Sequence, residues 1–328
     1  MKIGLRWLKL TLLWLVTISA AGSAFGQSPS YPNNPVRLIS DSSPGSAVDV
    51  GLRIIADGMS KHWNQQIVVV NQAGAAGAIS ARAAAQAEPD GYTLYAPALS
   101  VFLAVPGKAP NLPLMIPRDF AAVGYTVDQP LAIGVSPKLG VKTLQDLIDL
   151  AKKQPGKLSY AVTGIGRLTH LMGELLQLRT GIKLQMVPYS GGSAQAFTDV
   201  IAGRIPIVME GYSGLVGSFQ AGTIQPLAVA SPKRLPSAPN LPTVGEMLPG
   251  FVASGWQAVL APNGTPEAAI NEASKCLRIA LDSAAVKDAL ASRGSFARPM
   301  SPSEVTAFIR AQQEQWKPAI DRIAALTK

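Results

Sequence analysis

From residue 36 onward, short apolar runs alternate with amphipathic stretches and with turns rich in glycine, serine or proline. The runs at 36–40, 67–70 and 92–95 predict strands. Between them, 48–61 predicts a helix with Ile54, Ile55 and Met59 on its inner face, and the alanine-rich 79–87 predicts another. This alternation predicts α/β architecture with a mostly parallel sheet and right-handed crossovers. A proline-rich passage at 106–117 interrupts it. Extended segments follow at 120–127 and 131–135, the second crossing into another lobe. A helix at 143–153 carries Thr143 as N-cap and Asp146 in its first turn. Strands are then expected at 184–187, 205–209 and 224–230, with a helix at 194–202. A proline-rich link at 231–249, an extended run at 256–260 and helices at 266–281, 285–292 and 302–326 close the chain. No fixed-period repeat is present.

The stretch 158–178 concentrates the functional signal. A short strand turns through Thr163-Gly164-Ile165-Gly166 into a helix with Leu171, Leu175 and Leu178 at i, i+4, i+7 spacing. A glycine turn lets a ligand approach the backbone, and N–H groups at a helix start attract anions. The loops 41–47, 73–77, 96–100, 163–169, 189–193 and 210–213 all follow strands, where open sheets place their ligands. Two lobes bring these loops face to face. The expectation is a clamp for a small carboxylate, one jaw near 40–49 and the other at 163–169.

Residues 1–26 change the picture of location. A basic start (Lys2, Arg6, Lys9), an apolar core and a small-residue exit at Ala24-Phe25-Gly26 read as a cleaved secretory signal. Removing them from the 328 residues leaves 302, enough for two lobes. The chain is 48% hydrophobic and 15% charged, which predicts a sizeable core. Its formal charge of +9 falls to +6 once the three cations of the signal are removed, and that favours small anions. Scattered Lys and Arg with no recognised motif argue against nucleic acid. Cys276 is the single cysteine, so no internal disulfide forms; a periplasm-like compartment and a buried, inert thiol are expected.

Each candidate side chain carries two readings. Asp49 compensates a helix dipole or touches ligand. Arg167 grips a carboxylate bidentately or points to solvent. His170 is structural or catalytic, with no paired acid marked for it. Tyr189 stacks on a ligand or sits at a rim. Asp199 anchors a loop. Glu210 repels an anion, binds a polar tail or is solvent-exposed. The chain has two histidines, His62 and His170, and lacks the nucleophile elbow, zinc helix, Walker loop and complete dinucleotide fingerprint. No metal-ligand cluster stands out, and neither cofactor nor catalytic residue is expected. The alternative function is a secreted α/β hydrolase or lyase using His170.

Ordered segments across nearly the whole chain carry a resemblance. They include Pro44-Gly45 through Asp49, Gly74-Ala75-Ala76-Gly77, Pro89-Asp90-Gly91-Tyr92, Arg118-Asp119-Phe120, Pro155-Gly156-Lys157-Leu158, Thr169-His170-Leu171, Val187-Pro188-Tyr189, Pro242-Thr243-Val244 and Gly264-Thr265-Pro266. In order and spacing they resemble the substrate-binding proteins of tripartite tricarboxylate transporters, the Bug receptors. The resemblance implies a type II periplasmic binding protein: two α/β lobes around a ligand cleft, formed by 27–129 with 233–328 and by 130–232. It implies a monomeric receptor for an organic acid, with permease subunits or a sensor kinase as partner. Carried over residue by residue, the first-lobe group is Ser43, Gly45, Ser46, Asp49, Gly77 and Ser100. The second-lobe group is Thr163, Gly164, Gly166, Thr169, His170, Tyr189 and Asp199, to which the anion argument adds Arg167. Four departures stand out: Asp41-Ser42 replaces a usual proline-aromatic pair, Ser46 a glycine and Arg167 a small hydroxyl residue, and the loop from Tyr189 to Asp199 is a residue longer than usual. They predict a wetter, wider, more cationic pocket, and a dicarboxylate or aromatic acid as ligand.

Overall fold

The computed structural model describes residues 31–104, 112–189 and 192–326. Residues 1–30, which include the expected export signal, part of the proline-rich passage and Ser190-Gly191 lie outside the described residues. The chain divides into two compact units, residues 1–33 and Asn34–Lys328. The first is described only at residues 31–33, and all elements below belong to the second.

Strand β1 (Val36–Ser40) leads through a serine-rich turn into α1 (Ala47–Trp63). Ser46 caps this helix by accepting the Asp49 amide at 3.3 Å, and left-handed Asn64 ends it. There follow β2 (Ile67–Asn71), α2 (Ala78–Ala85), β3 (Thr93–Ala96), β4 (Phe120–Val135), α3 (Leu144–Lys153), β5 (Ser159–Val162), α4 (Leu168–Thr180), β6 (Gln185–Pro188) and α5 (Ser193–Ile201). The chain continues with β7 (Ile207–Gly211), α6 (Tyr212–Gln220), β8 (Gln225–Val229), the single turn α7 (Val244–Met247), β9 (Ser254–Pro262), α8 (Glu267–Asp282), α9 (Ala284–Ala291), β10 (Phe296–Met300) and α10 (Pro302–Leu326). Thr143 and Asp146 form a reciprocal capping box on α3, as their spacing predicts.

The strands run in the order β2-β1-β3-β9-β4-β7-β5-β6. The outer pairs are parallel, β1 with β2 and β3, and β5 with β6 and β7. The centre is antiparallel: β4 pairs with β7, β8, β9 and β10. The expectation of a mostly parallel sheet therefore holds for the rims alone. The physical reason is that the chain enters the second lobe along β4 and returns along β9, so the two crossing strands oppose one another. The expected segments 120–127 and 131–135 are one strand of 16 residues. Its first part pairs with β9 and β10, and Leu131–Val135 pair with β7 and β8. At the crossing, Leu131 N–H donates to Ala253 O, Ala253 N–H to Ala230 O, and Ala230 N–H to Leu131 O. The two crossing strands and the end of β8 are thus bonded to one another.

The first lobe buries Leu52, Ile55 and Met59 of α1 against Val36 and Leu38 of β1 and Ala273, Cys276 and Leu277 of α8. Burial pushes the Cys276 thiol up to about 12, the inert group expected. A second apolar cluster runs along β4 and includes Phe120, Leu131 and Ile133 with Tyr160 and Met172. On α4 Leu168, Leu171, Met172 and Leu176 are buried, Leu175 is partly buried and Leu178 is exposed. The expected stripe 171/175/178 therefore holds at Leu171 and Leu175, which pack on the core cluster, and fails at Leu178, where the helix end faces solvent. Three elements escape the pattern: α6, whose Gly214 and Gly217 weaken its helical signal, the single turn α7 inside the expected proline-rich link, and β10, which contains Pro299.

Gly173, inside α4, lies against the Tyr160 ring; a Cβ there would stand 2.3 Å from its Cε2. Alanine in a helix interior ordinarily gains about 1 kcal/mol over glycine. Here overpacking a fully buried ring, at about 1–3 kcal/mol, outweighs that gain. Gly173→Ala is expected to lower the urea midpoint, and an unchanged or raised midpoint refutes this packing.

Candidate functional site

A cavity of about 770 Å³ opens between the two lobes. Its first-lobe wall comes from the turns after β1, β2 and β3, with Asp41, Ser42, Ser43, Ser46, Gly74 and Ser100. Its second-lobe wall comes from the turns after β5, β6 and β7, with Thr163, Gly164, Gly166, Arg167, Thr169, Ser193 and Glu210. Gln129 and Trp256, from the crossing strands, form its floor with Leu131. The strand-end rule therefore places the cleft correctly. Apolar Ala47, Val48, Leu99, Ile165 and Leu168 fill in between the polar groups.

Of the carried-over residues, Ser43, Ser46, Ser100, Thr163, Gly164, Gly166, Arg167 and Thr169 line this cavity. The others are placed elsewhere, each with a structural task. Asp49 is buried; its carboxylate accepts from Gly45 N–H at 2.9 Å, Asn71 Nδ2 at 2.9 Å and Arg53 Nε at 3.0 Å. Gly45 thus spends its amide on Asp49. Gly77 packs beneath the site, since a Cβ there would meet Val101 Cγ1 at 2.4 Å and Asp41 Oδ2 at 3.1 Å. His170 accepts Gly166 N–H on Nδ1 at 3.0 Å and sets Nε2 3.7 Å from Glu174. Burial pushes its imidazole below the ordinary value, against the pull of Glu174. Tyr189 donates to Asp199 at 2.5 Å, and Asp199 also holds Arg204, so this chain anchors the loop after β6. The expected grip by the amides of Gly45 and Gly166 is corrected: each donates to a side chain of its own turn. Polar turns satisfy their own donors wherever a capping side chain is within reach.

Charge is the second correction. Arg167 Nη2 lies 3.1 Å from Asp41 Oδ2, an ion pair between the lobes whose side chains are 12% and 0% exposed. Asp41 also accepts Ala98 N–H at 3.0 Å. Glu210, for which solvent exposure was one reading, is buried on the cavity wall. Ser193 Oγ and Gly211 N–H donate to it, both at 2.8 Å. Burial pushes its carboxyl up, against those two bonds and the charge of Arg167. The pocket is therefore not more cationic. The one signal that pointed to the pair was the coincidence of two departures, an acid gained in one jaw and a base in the other.

The jaws meet closely. A Cβ on Gly211 would stand 2.2 Å from Ala47 Cβ, so only glycine lets α1 approach the end of β7. Gln129 Nε2 donates to Ala47 O at 2.7 Å and Gln257 Nε2 to Val48 O at 3.0 Å, tying α1 to both crossing strands.

Two lobes, crossing strands and a cleft at the strand ends define a bilobal periplasmic binding protein. The family model "Tripartite tricarboxylate transporter family receptor" matches residues 52–325. The chain is 34% identical to Protein BugT of Bordetella pertussis strain Tohama I over 316 residues, 95% of this chain and 97% of that one. It superposes on the periplasmic binding protein BugD with a TM-score of 0.83, at 28% identity, covering 89% of this chain and 98% of BugD. It superposes equally, at 0.83, on R. palustris Rpa4515 with adipate, at 29% identity and covering 89% of this chain and 97% of that one. The chain belongs to the tripartite tricarboxylate transporter receptor family.

Two predictions follow from these placements. Asp49 is desolvated, which raises its pKa, but bonds from Arg53, Gly45 and Asn71 hold it below the ordinary value. Its contribution is therefore present above the unfolded value of about 3.9 and is lost as pH falls through the lower folded value. Asp49→Asn is expected to cost about 1–3 kcal/mol at pH 7, and the gap to wild type should shrink below about pH 4 in urea titrations. A gap independent of pH excludes the ionised cluster. Removing Arg167 strands a buried carboxylate, worth about 3–5 kcal/mol with the cleft shut. Opening hydrates Asp41 and limits that cost, so Arg167→Ala should open the cleft rather than unfold the chain. Small-angle scattering reads this as a larger radius of gyration, and an unchanged radius with a lowered melting temperature contradicts it.

Proposed function

We propose that this protein is a periplasmic receptor that closes around a small organic acid and delivers it to a tripartite tricarboxylate-type permease or reports it to a sensor. The cavity between hydroxyl-rich loops of both lobes carries this reading. Arg167 keeps N–H groups beyond the one it gives Asp41, and the surrounding hydroxyls can share a carboxylate with them. The adipate held by Rpa4515 supports a carboxylate as the recognised group. The size of the cavity and its apolar stretches favour an acid with an apolar body, such as an aromatic acid. The dicarboxylate also expected is less well served, because the cation in the wall already faces Asp41. In this reading residues 1–26 are a cleaved export signal and the receptor acts as a monomer. Residues 27–129 with 233–328 form one lobe and 130–232 the other, and closure is a hinge motion about the crossing strands. A hydrolase or lyase built on His170 draws no support from the geometry, since His170 stands outside the cavity with Nδ1 engaged.

The test is a thermal-shift screen of mono-, di- and tricarboxylic and aromatic acids. A ligand at 1,000 times its dissociation constant stabilises the fold by about 4 kcal/mol, a shift of several degrees. Recovery of the ligand chemically unchanged supports a receptor; turnover, or no shift with any acid, refutes it.

A further inference from the structure

The charges on the cavity wall do not balance. Among the described residues that line it, Asp41, Arg167 and Glu210 are the ionisable ones. Asp41 and Arg167 neutralise each other at 3.1 Å. Glu210 remains, with two neutral donors, Ser193 Oγ–H and Gly211 N–H, and no cation within salt-bridge distance among the described residues. A carboxylate taken out of water without a counter-charge is costly, and pairing with a cation relieves that cost. Two donors leave lone pairs open on Glu210, since an ionised carboxylate accepts about four bonds. Its place at the end of β7, on the wall of the cleft, makes an incoming ligand the available partner.

We propose that Glu210 is a specificity-determining residue that receives a protonated amine of the ligand, so that the site takes an amino-acid-like zwitterion in preference to a dicarboxylate of the same length. The proposal rests on the reading of this cleft as an acid receptor. The ligand carboxylate meets Arg167 and the hydroxyls of the opposed jaws, and its ammonium meets Glu210. A second carboxylate would instead approach the one acid in the wall that has no counter-ion. Like charge juxtaposed in a desolvated site discriminates strongly between ligands of equal size. The upward displacement of the Glu210 carboxyl by burial accords with a group that gains its counter-charge on binding.

The test uses length-matched probes in isothermal titration and thermal shift: hexanoate, adipate and 6-aminohexanoate, and benzoate, terephthalate and 4-(aminomethyl)benzoate. Wild type and Glu210→Gln are compared, the variant keeping the shape of the side chain and removing its charge. In wild type the zwitterion is expected to bind at least tenfold tighter than the diacid of its series. In Glu210→Gln that preference should fall at least tenfold, with the plain monoacid unchanged or tighter. Tighter binding of adipate or terephthalate to wild type overturns the proposal and leaves the acid-receptor reading standing. So does a preference that survives Glu210→Gln, which would make Glu210 only a brace between β7 and Ser193. No shift with any of the six probes overturns the acid-receptor reading and this proposal together. Should Glu210→Gln not fold, the wild-type ratio of zwitterion to diacid decides alone.

Discussion

Strand β4 belongs to two sheets at once, and the rest of the molecule is arranged by that fact. A strand that leaves one sheet for another must satisfy its N–H and C=O groups on both sides of the transition. Here the exchange among Leu131, Ala230 and Ala253 does so at the junction of the lobes. Gln129 and Gln257 extend the constraint from the crossing strands to the first turn of α1. The jaw that holds Ser43 and Ser46 is therefore positioned by the crossing strands.

Across the cleft the contacts are of two kinds. Steric fit between Ala47 and Gly211 sets how near the jaws can come. The ion pair of Asp41 with Arg167 supplies attraction between them without a ligand. Such a pair is worth little in open water and more in a desolvated gap, so its strength depends on closure while it favours closure. Among the described ionisable residues of the wall, Glu210 alone has no charged partner.

Residue types with local rules were read correctly from the chain. Thr143 three positions before Asp146 makes a capping box wherever a helix starts there. Cys276 among apolar helical neighbours is buried. Hydroxyl-rich turns after β-branched runs line the cleft, as Ser43, Ser100, Thr163 and Thr169 do. Residues that carried two readings took the structural one in the fold. Asp49 and His170 stand in turns that resemble binding loops, yet each faces an amide of its own turn. Glu210 carries no local mark of burial, because its neighbours on the wall come from elements far apart in the chain.

The sequence alone determined the alternation of strands and helices, the family and the end of the sheets at which the cleft opens. These rest on interactions spanning a few residues and on the rule that strand ends face a crevice. Only the tertiary structure decided which charges oppose which. Asp41 and Arg167 are 126 residues apart in the chain. Whether an acid and a base neutralise each other or attract a ligand turns on a few ångströms across a cleft, and local pattern holds no record of that distance.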